Sequence, residues 1–426
     1  MIRICKYGEV APEEIFARAV PAVNVEAIVA DIIADVAARG DQALLEYTKK
    51  FDGAELVSLA VTKEEIDEAV ASVDPAFLEV LQTAAANITR FHSRQVRNSF
   101  IINDESGVLM GQKILPVDRA GLYVPGGTAS YPSTVLMDAI PAKIAGVRQV
   151  VMVTPPGPDG KIAPVILAAA RVAGVDSIFK VGGAQAIAAL AYGTESIPAV
   201  DKIVGPGNAF VAEAKKQVFG KVSIDMIAGP SEILIVADGS TDPRLAAADL
   251  LSQAEHDKMA SAVLITDSPE LAIAVQKELE LQIPALDRAE IARASIDNNG
   301  KIIVCDDLAQ AIEVSNVIAP EHLELCTDQP FAYLDAVRNA GSVFLGRSCP
   351  EALGDYLAGP NHTLPTGGSA RFSSPLSVDD FIKKTQYTYF TEDALARVAD
   401  SVALFAGKEG LTGHARSVTI RKEQRK

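Results

Sequence analysis

The spacing of apolar residues changes character part-way along the chain. Before about residue 110 it follows the helical period: Val25, Ile28, Val29, Ile32 and Val36 mark one face of a helix that Asn24 can cap and Gly40 can end. Thr62-Lys63-Glu64-Glu65 has capping-box spacing, and Asp74-Pro75 supplies a cap followed by proline at the first helical position. From about 120 short β-branched runs alternate with alanine-rich stretches. Val150–Val153, Ile178–Val181, Lys202–Val204 and Ile233–Val236 are predicted strands, separated by helical runs near 162–173, 184–193 and 208–217. A second series has strands near 262–266, 302–305, 323–326 and 342–346, with helices near 243–256, 268–281, 307–316 and 331–339. Such regular alternation implies βαβ units on parallel sheets. The expected fold class is α/β: two Rossmann-like parallel-sheet domains with small helical N- and C-terminal appendages. The alternation stops near 375.

Composition narrows the function. A chain of 426 residues can build two or three cores. Lys and Arg number 39 against 55 Asp and Glu, giving −16, so no phosphate backbone is attracted and nucleic acid is not an expected partner. The longest uncharged stretch, Ala120 to Met137, is broken by Pro125, Gly126, Gly127 and Pro132, so no membrane span is expected. Cys5, Cys305, Cys326 and Cys349 lack C-x-x-C spacing and no signal peptide follows Met1, which reads as a cytoplasmic protein with reduced thiols.

Five histidines carry most of the candidate chemistry. His92 lies among Arg90 and Arg94 and reads as a surface helix residue. The other four sit in segments dense with acids and glycines. Gln253 and His256 are three apart near a helix end and can point at one ion. With Asp355 and His414 they offer two nitrogens and two oxygens, a set that suits Zn²⁺; the alternative is a solvated helix face. Glu321-His322 stands at the entry to a strand, where imidazole can take a proton and carboxylate can activate water, or where both simply face solvent. Gly205-Pro206-Gly207-Asn208 follows a strand and opens a helix, a place for a pyrophosphate or only a tight turn. Phe210 stands where a dinucleotide fingerprint would need glycine.

Taken together these segments resemble the histidinol dehydrogenase family. The resemblance runs through Gly121-Leu122-Tyr123-Val124-Pro125-Gly126-Gly127, Gly182-Gly183-Ala184-Gln185-Ala186, Val204-Gly205-Pro206-Gly207-Asn208, Ala228-Gly229-Pro230-Ser231-Glu232, Ser252-Gln253-Ala254-Glu255-His256-Asp257, Ala319-Pro320-Glu321-His322-Leu323 and Gly359-Pro360-Asn361-His362. It implies two successive NAD-dependent oxidations, L-histidinol to L-histidinaldehyde to L-histidine. Zinc would be held by Gln253, His256, Asp355 and His414, and would orient the substrate. His322 would be the base of the alcohol step and Glu321 would activate water for the aldehyde step. Ser231, His362 and Glu409 would join His322 and the zinc ligands around substrate, while Tyr123, Gln185 and Asn208 would touch NAD. The resemblance also implies a homodimer with shared active sites. The expected division is a 1–24 appendage, a first domain of 25–121 with 232–375 carrying the zinc and acid–base residues, a second domain of 122–231 carrying the NAD contacts, and a 376–426 appendage. Two rival readings use the same residues, a zinc hydrolase without nicotinamide and an acidic ligand-binding protein without turnover.

Overall fold

Long runs of buried β-branched residues cannot satisfy a one-sided sheet, and they are used here in two parallel sheets covered by helices. A computed structural model describes residues 1–15, 18, 25–126 and 130–423. The chain forms two compact units: Met1–Gln95 with Val117–Phe381, and Val96–Pro116 with Ile382–Lys426. Asn24 and Gly127, which the sequence reading nominated as a cap and a loop residue, lie outside the described residues.

The first unit contains a six-stranded parallel sheet in the order Arg3–Lys6, Lys301–Val304, Ser261–Thr266, Glu232–Ala237, His322–Cys326, Ser342–Leu345. The strands Glu232–Ala237 and His322–Cys326 are buried at every residue, as expected when helices cover both faces. A five-stranded parallel sheet follows the order Ser177–Lys180, Gln149–Thr154, Arg119–Tyr123, Lys202–Val204, Ser223–Ile224. Strand order reverses direction beside Arg119–Tyr123, and α/β sheets bind ligands at the carboxyl ends of strands flanking such a switch. The fold class is α/β, as the alternation predicts.

Four local features depart from the sequence reading. Arg3–Lys6 is an edge strand paired in parallel with Lys301–Val304, too short to show a period of its own. The run at 331–339 is helical only over Phe331–Leu334, and the helix Ala289–Asn299 was not anticipated. His92 is fully buried at the end of the helix Pro75–His92, not on its surface, because it lies one turn after Ile88 on the helix's buried face; its Nδ1 meets Gln95 Oε1 at 2.7 Å.

The second unit is antiparallel. Val108–Pro116 pairs with Phe100–Ile102 and with Ile382–Phe390, and the helices Glu392–Lys408 and Thr412–Glu423 follow. The C-terminal stretch therefore opens with a nine-residue strand before becoming helical. No helix among the described residues is long and apolar enough to cross a membrane.

Candidate active site

The Glu321–His322 pair sits where the neighbouring strands Glu232–Ala237 and His322–Cys326 begin. Parallel pairing sets His322 opposite Ile233, so the peptide of Glu232 lies beside both Glu321 and His322. The Glu232 N–H donates to Glu321 Oε2 at 2.8 Å, and the Glu232 carbonyl lies 3.0 Å from His322 Nδ1. A carbonyl only accepts, so this contact favours a proton on Nδ1 and a bare Nε2. Both side chains are buried, Glu321 at 7% exposure and His322 at 3%.

Three further segments converge on this pair. Gln253 ends the helix Pro243–Ala254, started by the Asp242 cap and a proline at the first position, and its Nε2 lies 3.2 Å from His322 Nδ1. The helix Glu351–Tyr356 brings Glu351 Oε1 and Asp355 Oδ1 each to 3.9 Å from His322 Nε2. His362, in the segment after that helix, holds Nδ1 3.7 Å from Asp355 Oδ1 and Nε2 3.3 Å from Thr134 Oγ1. His256, half-buried just past the Gln253 helix, lies near enough for its charge to oppose protonation of His322 and His362. Ser231 is half-buried immediately before Glu232.

Electrostatics make this a site built for a cation. Burial pushes Glu321 well above the usual carboxylate range, Glu351 up to about 8 with help from Asp355, and Asp355 up to about 6. Burial also holds His322 and His362 down at about 4, so both rings are neutral at pH 7. Gln253 Oε1, His322 Nε2 and Glu351 Oε1 are buried with no hydrogen-bond partner. Acceptors in water-poor surroundings cost free energy unless something positive meets them. His322, Glu351 and Asp355 also offer ligand atoms within 4.8 Å of one another. The donor set of oxygens and imidazole fits a zinc-like ion.

Glu351 and Glu232 were not nominated from the sequence. The one signal for Glu351 was its position four residues before Asp355, on the same helical face. Glu232 acts through its peptide, which no residue pattern can announce. Glu409 and His414 belong to the second compact unit and are both exposed, Glu409 closing the helix Glu392–Lys408 and His414 lying in Thr412–Glu423. The structure of the first unit thus brings together Gln253, Glu321, His322, Asp355 and His362 and contains neither of those two.

A separate cavity of about 1070 Å³ opens at the switch point of the five-stranded sheet and is lined by Tyr123, Gly183, Gln185 and Asn208, among others. The Tyr123 hydroxyl accepts the Gly183 N–H at 3.1 Å, and burial pushes the phenol up to about 12, so it stays protonated. Asn208 caps the helix Ala209–Val218, its side-chain oxygen accepting from the amides of Phe210 and Val211 at 3.0 and 3.2 Å. Those amides are therefore taken, and the glycine loop before them serves close packing. Gly205 has φ +117, and a Cβ there would stand 2.1 Å from the Tyr123 carbonyl oxygen. Beneath it the buried Lys215 ammonium donates to the Gly205 carbonyl at 2.9 Å and pairs with Asp225.

Fold and site together define an α/β protein with a buried imidazole–carboxylate centre beside a large switch-point cavity. A sequence model of the histidinol dehydrogenase family matches residues 17–422, and the chain belongs to that family. It is 57% identical over 390 residues to the histidinol dehydrogenase of Clostridium acetobutylicum, covering 92% of this chain and 90% of that protein. The corresponding protein of Syntrophotalea carbinolica is also 57% identical, over 94% of this chain and 93% of its own. A crystal structure of histidinol dehydrogenase from Elizabethkingia anophelis superposes with a TM-score of 0.94 at 39% identity, covering 99% of this chain and 98% of the other. Membership sets the chain among oxidoreductases acting on an alcohol, in histidine biosynthesis.

Proposed function

We propose that this protein is a cytoplasmic, zinc-dependent L-histidinol dehydrogenase that makes two successive NAD-dependent oxidations, L-histidinol to L-histidinaldehyde and then to L-histidine. The observation that carries the reading is the grip of one peptide, that of Glu232, on both Glu321 and His322. It leaves a bare imidazole nitrogen and a buried carboxyl side by side, facing unpartnered acceptors suited to a cation.

Gln253, His256 and Asp355 would hold zinc, with His414 as the fourth ligand supplied by the partner subunit of a homodimer. Bound zinc supplies a positive template for the substrate's amine and imidazole nitrogens, and bound NAD supplies the hydride acceptor. In the first oxidation His322 Nε2 takes the hydroxyl proton while Nδ1 stays anchored on Glu232. In the second, Glu321 takes a proton from water as it adds to the aldehyde carbon, and the raised pKa of its buried carboxyl makes it the stronger base once ionised. Ser231, His362 and Glu409 would contact substrate. Tyr123, Gln185 and Asn208 would contact NAD, a role supported by their shared cavity.

The test is stoichiometry. Zinc-loaded protein given L-histidinol and excess NAD should form two reduced cofactors per histidine. One reduced cofactor with aldehyde accumulating, or none, would contradict the reading.

A further inference from the structure

The helix Pro132–Ala145 is buried along nearly its whole length, and one of its faces carries polar groups that the reaction above does not use. Thr134 and Asp138 are one turn apart on that face, at 2% and 0% exposure. Both reach the segment Asn361-His362-Thr363. Asp138 Oδ1 accepts from the Thr363 hydroxyl at 3.0 Å, and the Met137 carbonyl accepts from Asn361 Nδ2 at 2.7 Å. Asn361 Oδ1 in turn accepts the Thr363 N–H at 2.8 Å. The residues on either side of His362 are thus pinned to the helix.

The ring meets Thr134 at Nε2, 3.3 Å from Oγ1, and faces Asp355 with Nδ1, 3.7 Å from Oδ1. A carboxylate beside Nδ1 can only accept, which favours a proton there. A hydroxyl can donate or accept, and with the proton on Nδ1 it is the donor to a bare Nε2. We propose that Thr134 is a positioning residue of the reaction: its hydroxyl donates to His362 Nε2 and so presents Nδ1–H as the donor to an oxygen of the substrate. The inference rests on His362 being a substrate contact. An apolar side chain of similar shape at 134 would leave the ring free to flip or to exchange its proton between nitrogens, and the site would lose a fixed donor. A bent threonine on the wrong helical face could not do this, since a side chain must lie over the turn that the ring touches.

Two readouts test it. The first needs no turnover: with ¹⁵N-labelled histidine, and the His362 signals assigned by their loss in His362→Gln, the wild-type ring should show a protonated Nδ1 and an unprotonated Nε2. Thr134→Val should broaden or mix these states, and Thr134→Ser should restore them. A wild-type ring protonated at Nε2, or a folded Thr134→Val protein with unchanged ring signals, would overturn the proposal. The second is kinetic: Thr134→Val should raise KM for histidinol about tenfold, the worth of one buried hydrogen bond, with kcat within about twofold, and Thr134→Ser should recover KM. Equal KM in wild type and Thr134→Val would also overturn it. If the wild-type protein does not oxidise histidinol at all, the functional reading fails, while the ring signals still decide the Thr134 contact. Should Thr134→Val not fold, the wild-type tautomer and Thr134→Ala carry the same test.

Discussion

The carbonyl of Glu232 meets Nδ1 of His322 at 3.0 Å, and this contact decides which ring nitrogen faces the site. It arises from sheet register: a slip of one residue between Glu232–Ala237 and His322–Cys326 would turn His322 to the other face. The same peptide's N–H holds Glu321. Side chains adjacent in sequence normally point to opposite faces of a strand; Glu321 stands just before the strand begins, so both it and His322 can meet the same peptide.

Metal should be required for activity. Chelation is expected to abolish turnover and zinc to restore it, measured together with metal content. His256→Ala should lose metal and activity while keeping the wild-type circular-dichroism spectrum, and its metal affinity should fall at least 10-fold to 100-fold. Full activity in metal-free protein would exclude the assignment.

Sharing of sites between subunits can be tested by complementation. Glu409 and His414 lie exposed in a small unit that also exposes Phe100, Ile101, Leu404 and Phe405, surface that a second copy could cover. Inactive His256→Ala and His414→Ala proteins, mixed under conditions that exchange subunits, should regain activity, because each mixed dimer has one site free of both lesions. No recovery in proven mixed dimers would assign His414 to its own chain.

His92 should make the fold acid-sensitive. Burial lowers its pKa below the usual 6.5, so the unfolded chain binds the proton more readily than the folded one. Stability from the neutral ring is therefore complete above about pH 6.5 and is lost as pH falls through the lower, folded value. Denaturant midpoints from pH 7.5 to 5.5 should fall more steeply for wild type than for His92→Gln; parallel slopes would show that the ring is not held neutral.

Much of the fold was legible because parallel strands and their crossover helices write two different periods into the chain. What escaped was structure fixed by pairing partners and not by local pattern. Ile382–Phe390 is mostly exposed and polar on alternate sides of no core, so only its partner Val108–Pro116 defines it. In the site, residue type pointed to Glu321, His322, Gln253 and Asp355. Glu351 was hidden because an acid at a helix start is ordinary; its burial, with Oε1 unpartnered, sets it apart. Asn208 stood in the right loop, yet its side chain turned out to cap the helix whose amides seemed free for phosphate.

The most direct test of the central assignment separates the two oxidations. Histidinol and histidinaldehyde are each given to zinc-loaded Glu321→Gln and His322→Asn proteins, and reduced cofactor is followed in single turnovers. Glu321→Gln keeps shape but loses the basic carboxylate, so aldehyde oxidation should fall by about 10²-fold to 10⁴-fold with the alcohol step far less affected; His322→Asn should slow chiefly the alcohol step by a similar factor. Equal losses in both steps for both variants would contradict the division of roles.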